Sequence, residues 1–245
     1  MCDTCGCGDP NKVSMEVHDR ILSVNDRTAA HNREHFLEGG VFAVNLMGSP
    51  GAGKTAVLEA TARSLAGRSR LGAIAGDLET ERDADRLRAV GVPAAAITTG
   101  SACHLDAEMV HKSLHGFPWK GLDYLFVENV GNLVCPAIYD LGQAANVVVL
   151  SVTEGEDKPL KYPVMFHKAD LVLLTKVDLL PHLDFHVEAV LDALSRVMPQ
   201  PAALRVSART GEGVAGWISW LEGRRAVLAE TVAGRAHPHG RHNPA

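Results

Sequence analysis

The stretch "GSPGAGKT" at positions 48–55 constrains the fold of this chain more than any other. It matches the phosphate-loop pattern G-x-x-x-x-G-K-S/T and directly follows the apolar run "VFAVNLM". In such a loop, glycines let successive backbone N–H groups converge on phosphates at the beginning of a helix. The motif therefore predicts a strand, a nucleotide-binding loop and a helix, in that order.

Each part of this loop has an expected contact with the nucleotide. Lys54 is expected to reach the β- and γ-phosphates, and the Thr55 hydroxyl is expected to bind Mg²⁺. The predicted nucleotide-binding residues of the loop are Gly48, Ser49, Gly51, Ala52, Gly53, Lys54, Thr55 and Ala56.

From position 41 onward, short apolar runs alternate with helical patterns. The predicted strands are 41–47, 71–75, 94–98, 122–127, 146–152, 171–175 and 203–206, and the predicted helices include 54–66, 82–90, 105–115, 184–197 and 214–230. Continuous apolar strands that alternate with helices indicate a mostly parallel sheet covered on both faces. The expected fold class is an α/β P-loop NTPase.

The ends of the chain differ from this pattern. Residues 1–12 are rich in Cys, Gly and Asp without periodicity, so a flexible segment is expected there. Residues 13–38 predict an amphipathic or broken helix whose apolar side includes Ile21, Val24 and Phe36. The nucleotide-binding domain is expected over 39–231, and 232–245 is expected to be a disordered tail containing histidines.

Composition excludes several classes of function. A net charge of −5 argues against a nucleic-acid-binding protein, which needs a basic face. No apolar stretch approaches the roughly 18 residues that span a bilayer, and the first residues lack a secretory pattern. The expected location is the cytoplasm, without membrane or nucleic-acid partners. In that reducing setting the five cysteines are read as thiols or metal ligands.

Two acids at strand ends are candidate magnesium ligands and catalytic residues. Asp77 ends the strand "LGAIAGD", and Glu128 ends "LDYLFVE". Ligands of open α/β sheets bind at the carboxyl ends of the strands. Gly131 is expected to present its N–H to the γ-phosphate, and Asn132 stands where Ras-like enzymes carry a water-orienting Gln. Slow intrinsic turnover is therefore expected, with Lys54 and Thr55 completing the catalytic set.

Two further motifs identify the base. "TKVD" at 175–178 resembles the N/T-K-x-D guanine motif, in which Asp178 accepts both N–H groups of the guanine edge. Adenine lacks that donor pair, so GTP and GDP are the expected nucleotides. Thr175 replaces the commoner Asn and is expected to loosen this loop. The predicted base contacts are Lys176, Asp178, Ser207, Ala208 and Arg209, the last three from "SAR" at 207–209.

Two sets of residues are candidate metal ligands. "CDTCGC" places Cys2, Cys5 and Cys7 at a spacing that lets one loop present three sulfurs to Ni, Zn or Cu(I). The alternative is a reactive tail without metal. The second set is Cys103, His104 and Cys135. Cys103 alone would be read as a small buried hydrophobe, but Cys135 lies close to Gly131, so a shared site would respond to the γ-phosphate.

The remaining histidines give little information about function. They are scattered over predicted helices and loops and are expected mostly to face solvent: His18, His31, His35, His111, His115, His167, His182 and His186. His237, His239 and His242 near the end of the chain are a candidate metal store.

The motifs "CDTCGC", "NLMGSPGAGKT", "GDLET", "SACHLDAEMV", "FVENVGNLVCPA", "EGEDKPLKYP" and "LLTKVDLLP" resemble those of the HypB family of hydrogenase nickel-incorporation GTPases. The similarity runs over roughly residues 1–230. It implies a SIMIBI-type GTPase that dimerises with GTP and helps insert nickel into the hydrogenase large-subunit precursor. It also implies cooperation with the nickel protein HypA.

The resemblance also implies roles for particular residues. Nickel is expected at Cys2, Cys5 and Cys7, and nickel or zinc is expected at the Cys103, His104 and Cys135 site near a dimer interface. Lys158 is expected to touch the partner subunit or its nucleotide. Some members carry a long His-rich insert after the first cysteines, which this chain lacks, so a large nickel-storage role is not expected.

Three alternatives remain at this stage. A urease-type nickel GTPase would be expected to carry a Cys-Pro-His motif, which "SACHLDA" does not supply. A nucleotide-binding protein with a purely structural zinc site would not release phosphate from GTP. A small-molecule kinase would use Lys54 and Glu128 as well, but it would not need "TKVD".

Overall fold

A single sheet of seven parallel strands organises the chain. The computed structural model describes residues 10–236, and the strands run in the order β3-β2-β4-β1-β5-β6-β7. Their bounds are β1 Phe42–Met47, β2 Leu71–Asp77, β3 Ala94–Thr98, β4 Tyr124–Glu128, β5 Ala145–Ser151, β6 Leu171–Thr175 and β7 Ala203–Val206. The order reverses beside β1, whose neighbours are β4 and β5. A crevice forms at such a point in open α/β sheets.

Eight α-helices accompany the strands over the described part of the chain. They are α1 Pro10–Glu38, α2 Lys54–Leu65, α3 Arg82–Ala89, α4 Ala107–Leu114, α5 Lys158–Lys161, α6 Pro163–His167, α7 Val187–Val197 and α8 Val214–Ala236. Short 3-10 turns cover Cys135–Ala137 and Val177–His182. No helix among these residues combines the length and the apolar character needed to cross a membrane.

Both faces of the sheet are covered, as the continuous apolar strands predicted. Along β1, Phe42, Val44 and Leu46 pack in one core cluster with residues of α2 and α8. Ala43 belongs to a second cluster on the opposite face, which includes residues of α1 and α4. Successive side chains of a strand point to opposite faces, so a strand that is covered on both sides carries apolar residues toward both.

The buried side of α1 differs from the prediction. Ile21 and Val24, which were expected to face the core, are 50% and 55% exposed. Over residues 20–38 the buried positions are Asn25, Ala29, Asn32 and Phe36, which follow helical spacing. The two asparagines bind backbone groups of the neighbouring loops, so a polar face is packed without unpaired amides. Periodicity of apolar residues cannot reveal a face of this kind.

The element boundaries follow the prediction closely, with physical reasons for the differences. The fourth strand begins at Tyr124, because Leu122 N closes a turn on Trp119 O. The helices α5 and α6 were not predicted, since four or five residues are too few for a periodic signal. The first helix begins at Pro10 and the last continues to Ala236, past the boundaries placed at 12 and 231. Most of the predicted His-containing tail lies outside the described residues.

Candidate functional site

Two glycines give the phosphate loop its shape. A Cβ at Gly48, where φ is +149°, would lie 2.3 Å from the backbone oxygen of Val149. Gly53 has φ +100° directly before α2, a left-handed conformation that a side chain rarely adopts. The loop therefore passes close to β5 and turns sharply into the helix. Its residues line a cavity of about 400 Å³ that also borders Asp77, Glu128 and 129–131.

Lys54 lies at the floor of this cavity. Its Nζ donates hydrogen bonds to Gly48 O and Ser49 O, both at 3.2 Å. Burial lowers the pKa of Lys54, while the nearby carboxylates of Glu128 and Asp83 oppose that shift. A cation held among acids and beside the loop carbonyls is placed to neutralise phosphate oxygens.

Three oxygen donors converge beside Lys54. Thr55 Oγ1 lies 2.7 Å from Glu128 Oε1 and 2.8 Å from Asp83 Oδ1. A hydroxyl carries one proton, so it satisfies only one of the two carboxylates. Glu128 Oε2 is buried without a hydrogen-bond partner. Neighbouring ligands of octahedral Mg²⁺ stand about 3 Å apart. The donor set and its spacing therefore fit a magnesium ion bound by Thr55, Glu128 and Asp83.

Asp83 is a functional candidate that sequence reasoning missed. It lies in the first turn of α3, where acids are common because they interact favourably with the helix dipole. Only the folding of α3 against α2 brings it to Thr55. Arg86 supports this contact, because its Nε donates to Glu59 Oε1 at 2.9 Å and its Nη1 lies 3.5 Å from Asp83 Oδ1.

Asp77, the predicted second magnesium ligand, lines the same cavity but makes a local turn. Its Oδ1 accepts hydrogen bonds from Glu79 N at 2.9 Å and Thr80 N at 2.8 Å. These two bonds lower the pKa of Asp77, so the carboxylate is ionised. Of the two aspartates, Asp83 is the one that contacts Thr55 directly. The magnesium role of Asp77 stays a prediction.

Burial raises the pKa of Glu128 to about 7 from an ordinary value of 4.5. Between these two values the unfolded chain has released the proton and the folded chain retains it. Stability of the metal-free protein should therefore fall as pH rises from 4.5 to about 7, by on the order of 3 kcal/mol. Glu128→Gln cannot titrate and should escape this loss.

The measurement is thermal unfolding at pH 5 and pH 8 in the presence of a chelator. The unfolding midpoint of Glu128→Gln minus that of the parent should be larger at pH 8 than at pH 5. Glu79→Gln, at an exposed position, serves as the matched control and should show no such change. A difference between Glu128→Gln and the parent that is the same at both pH values would contradict a raised pKa at Glu128.

The two predicted base motifs meet in the structure. Ser207 Oγ donates to Asp178 Oδ1 at 2.6 Å, and Arg209 Nη1 lies 3.7 Å from Asp178 Oδ2. Lys176 has φ +58°, the one positive φ found outside glycine in the described residues. This conformation turns the chain sharply between β6 and Asp178. The structure therefore brings the two predicted base motifs into contact, and the guanine contact of Asp178 stays a prediction.

The expectation that Thr175 loosens this loop is wrong. Thr175 is buried, and its hydroxyl donates to Ala52 O of the phosphate loop at 2.6 Å. The side chain therefore connects the predicted base loop to the phosphate loop directly. A short hydroxyl suffices because β6 lies close enough for Gly53 to stand in van der Waals range of Thr175.

The segment that follows Glu128 contacts the phosphate loop. A Cβ at Gly131 would lie 2.8 Å from Pro50 N, so only glycine allows this approach. Asn132 N donates to Gly48 O at 3.1 Å, and Asn132 Nδ2 donates to Cys103 O at 3.3 Å. Asn132, at the position where Ras-like enzymes carry a Gln, thus connects the phosphate loop to the loop that carries Cys103.

The three predicted metal ligands come together at the other end of this connection. Cys103 Sγ lies 3.0 Å from Cys135 Sγ and 3.9 Å from His104 Nδ1, and all three ligand atoms lie within 4.8 Å of one another. His104 stacks on Tyr139 with ring centroids 3.9 Å apart. Burial lowers the pKa of His104, which favours the neutral imidazole that binds metal.

The thiols of this group are in contact with each other. The contact with Cys103 and burial both raise the pKa of Cys135. Metal binding would reverse this preference, because the ligand is the thiolate. Two sulfurs and an imidazole suit a borderline ion such as Zn²⁺ or Ni²⁺. The N-terminal Cys2, Cys5 and Cys7 lie outside the described residues, and their predicted metal site stays a prediction.

Comparison with known proteins places this geometry in a family. The family model described as "CobW/HypB/UreG, nucleotide-binding domain" matches residues 42–204. The hydrogenase maturation factor HypB of Azotobacter vinelandii is 54% identical over 213 residues, which cover 87% of this chain and 70% of that protein.

Two solved structures share the fold. HypB of Archaeoglobus fulgidus has a TM-score of 0.78 at 39% identity, covering 83% of this chain and all of that one. HypB of Helicobacter pylori, crystallised in complex with nickel, has a TM-score of 0.75 at 39% identity and covers 90% of this chain and 99% of that chain. The residues matched by the family model include the phosphate loop, Glu128 and Asp178.

Proposed function

Because the chain belongs to the HypB branch of the CobW/HypB/UreG family and so has a role in hydrogenase maturation, we propose that it is a GTP-hydrolysing metallochaperone for nickel. In this proposal GTP and nickel are the substrate and the cargo. The nucleotide state controls how tightly the Cys103–His104–Cys135 site holds the metal. The observation that carries the proposal is the Asn132 connection between that site and the phosphate loop.

The proposed hydrolysis uses the cavity around the phosphate loop. Lys54 neutralises phosphate oxygens, while Thr55, Asp83 and Glu128 hold Mg²⁺, which would supply charge stabilisation to the transferred phosphoryl group. The backbone N–H of Gly131 is the candidate donor to the γ-phosphate, because Gly131 lies against Pro50. Without a Gln or an arginine from a second protein in the described site, slow turnover is expected.

The proposed cargo site has the right chemistry for nickel. Imidazole and thiolate both suit Ni²⁺ and Zn²⁺, and three donors leave room for a fourth ligand. The nickel complex of the Helicobacter pylori relative supports this assignment. Zinc would compete for the same donors, so the cargo must be loaded and released under control. Nucleotide-dependent geometry is a direct means of control.

The proposed coupling follows from the path of the chain between the two sites. Cys135 follows Gly131 and Asn132, and Gly131 packs so closely on Pro50 that a Cβ there would clash with the Pro50 backbone. A γ-phosphate that displaces this segment would move Cys135 relative to Cys103, which is carried by a separate loop. Metal sites tolerate ligand-distance errors of only about 0.2 Å. Nucleotide exchange should therefore change metal affinity.

A second connection fixes the Cys103 loop to the end of β4. Asn129 Oδ1 accepts hydrogen bonds from Leu105 N and Val130 N, both at 3.0 Å. Asn129 Nδ2 donates to Asn45 Oδ1 in β1 at 3.2 Å. These amides are buried and paired, so they hold Leu105, the residue after His104, in a fixed position. The proposed movement is therefore confined to the segment that carries Cys135.

Coupling is tested by the affinities for nickel and zinc with GDP and with a non-hydrolysable GTP analogue. In the full chain with Cys2, Cys5 and Cys7 replaced by serine the N-terminal thiols do not contribute, and the part of the binding that Cys135→Ala removes belongs to the internal site. The two affinities should differ by about 5–150-fold, the usual range of coupling between sites. Asn132→Ala should retain both binding activities but reduce the difference to within about twofold, since it removes the bond to Cys103 O.

Val134→Ala is the matched control, because Val134 lies on the same segment with an exposed side chain. It should behave as the parent. Cys135→Ala should weaken metal binding itself while nucleotide affinity is largely retained. Equal metal affinities with both nucleotides in the parent would disprove the coupling but leave GTP hydrolysis open to a separate assay of phosphate release.

The remaining parts of the proposal concern assembly and partners. We propose a monomer with GDP and a homodimer with GTP, in the cytoplasm, which light scattering with each nucleotide would measure. Lys158 is the candidate contact to the partner subunit; within this chain its Nζ lies 5.5 Å from the ring centroid of Tyr162. HypA is the proposed nickel donor and the hydrogenase large-subunit precursor the proposed recipient.

A further inference from the structure

Four histidines that are far apart in the sequence form one cluster on the surface. His31 and His35 lie on α1, and His111 and His115 lie on or directly after α4. Each pair is spaced four residues apart, the spacing at which two histidines on one helix face bind a single ion. The helices pack side by side, so the two pairs face each other across their interface. His31 and His115 are exposed, and the other two are partly exposed.

Three of the four ring separations lie within or close to the range of imidazoles around one ion. The ring centroids of His31 lie 4.3 Å from His35 and 5.1 Å from His111, and His35 lies 6.1 Å from His111. His111 and His115 have centroids 5.0 Å apart. Two imidazoles bound to one ion at about 2.0–2.1 Å have centroids about 4.5–5.2 Å apart. The separation of His35 and His111 exceeds this range, so binding of one ion requires rotation of the rings about their side-chain torsions.

A hydrogen bond to a buried amide fixes the tautomer of one of the four rings. Asn32, fully buried beneath the cluster, donates its Nδ2 to Ala107 O at 2.9 Å and Leu141 O at 3.1 Å. Both partners are carbonyls, so the amide oxygen must face His111, whose Nδ1 lies 2.9 Å away. Nδ1 of His111 is therefore the donor, and Nε2 carries the free lone pair. A hydrogen bond of this kind orients metal-binding histidines in known sites.

The surroundings favour the neutral form of His111. Burial lowers the pKa of His111, and His31 and His115 lower it further, because a second positive charge so close is unfavourable. Neutral imidazole is the form that binds metal. The cluster shares no residue with the Cys103–His104–Cys135 group or with the nucleotide cavity, and it does not depend on the function proposed for them.

We propose that His31, His35, His111 and His115 form a second metal site, which binds one divalent transition-metal ion through imidazole nitrogens. Imidazole selects Zn²⁺, Ni²⁺ and Cu²⁺ over Mg²⁺ and Ca²⁺, which prefer oxygen. The site joins α1 to α4, which begins directly after the loop that carries His104. It is accessible from solvent, unlike a structural zinc site closed by buried thiolates.

The test uses the full chain with its five cysteines replaced by serine and His237, His239 and His242 replaced by glutamine. Calorimetry should find one Ni²⁺ or Zn²⁺ per chain. His31→Gln with His35→Gln, and separately His111→Gln with His115→Gln, should each weaken binding by at least about tenfold. His182→Gln with His186→Gln removes an exposed pair of the same spacing and should change nothing. Circular dichroism verifies that each variant is folded.

The fluorescence of Trp119 reports on the cluster without the cysteine and C-terminal histidine substitutions. Its ring centroid lies 6.0 Å from that of His35, whereas Trp217 and Trp220 lie on α8. Ni²⁺ should quench part of the tryptophan fluorescence of the unsubstituted chain, and Trp119→Phe or the His111/His115 double variant should remove that part. The proposal would be overturned if the histidine variants bound Ni²⁺ and Zn²⁺ as tightly as the chain from which they were made. It would also be overturned by a stoichiometry of one ion per two chains, or by quenching that survives both Trp119→Phe and the His111/His115 double variant.

Discussion

The substitution Lys54→Ala is expected to reduce GTP hydrolysis by at least about a hundredfold. Loss of one donor to the charge of a transition state costs about 10²–10³ in rate. Lys54 is the cation at the floor of the phosphate cavity, and Glu128 and Asp83 lie close enough to act on its pKa. Without its charge, the acids and the phosphates would repel each other, so nucleotide binding should weaken as well. Thr55→Ala should lower the rate comparably, because it removes the centre of the oxygen cluster that fits Mg²⁺.

Phosphate release under saturating GTP and Mg²⁺ measures this effect. Lys168→Ala, at an exposed position outside the cavity, is the matched control and should hydrolyse GTP at the parent rate. Circular dichroism must show native folding for both variants, since Lys54 also bonds to the loop carbonyls. Parent-like turnover in a folded Lys54→Ala variant would mean that this loop is not where hydrolysis occurs.

The second large effect is expected at the base. Asp178→Asn should weaken GTP binding by at least about a hundredfold, because a carboxylate that accepts two N–H groups contributes charge-assisted bonds of about 1.5–3 kcal/mol each. An amide presents one acceptor and one donor, which matches the edge of xanthine. Affinity should therefore shift from guanine to xanthosine nucleotides. The Ser207 hydroxyl can still donate to the amide oxygen, so the loop should keep its shape.

Calorimetric titration with GDP and xanthosine diphosphate measures the shift. Asp184→Asn provides the control, since its side chain is 99% exposed and lies in a nearby loop. A variant at position 178 that binds GDP as the parent does would refute the assignment of the base. A loss of both nucleotides would indicate instead that the carboxylate holds Lys176 and Ser207 in place.

Nucleotide and metal chemistry share a small part of this molecule. The segment 128–135 carries a buried acid, a glycine in contact with the phosphate loop, an asparagine bonded to both loops and a thiol. Four kinds of contact in so few residues leave little freedom to change one without another. Substitutions here should therefore affect several activities together, whereas changes in the histidine cluster should affect metal binding alone.

The amino-acid sequence by itself determined the order of the strands along the chain, the parallel sheet, the phosphate loop, the base motifs and the three converging residues that are candidate metal ligands. These features depend on local rules: strand ends, glycine conformations and residue types at fixed spacing. The tertiary structure alone decided which groups meet. Asp83 reaches Thr55, Thr175 binds Ala52, and Asn132 joins two loops, because helices and strands distant in sequence pack together.

The first helix shows the same division. Its existence follows from periodicity, but its buried face does not, because Asn25 and Asn32 are buried through bonds to backbone groups far along the chain. The same packing gathers four histidines that seemed scattered. Local patterns record the conformation of a segment, whereas a contact between segments depends on the partner that folding brings to it.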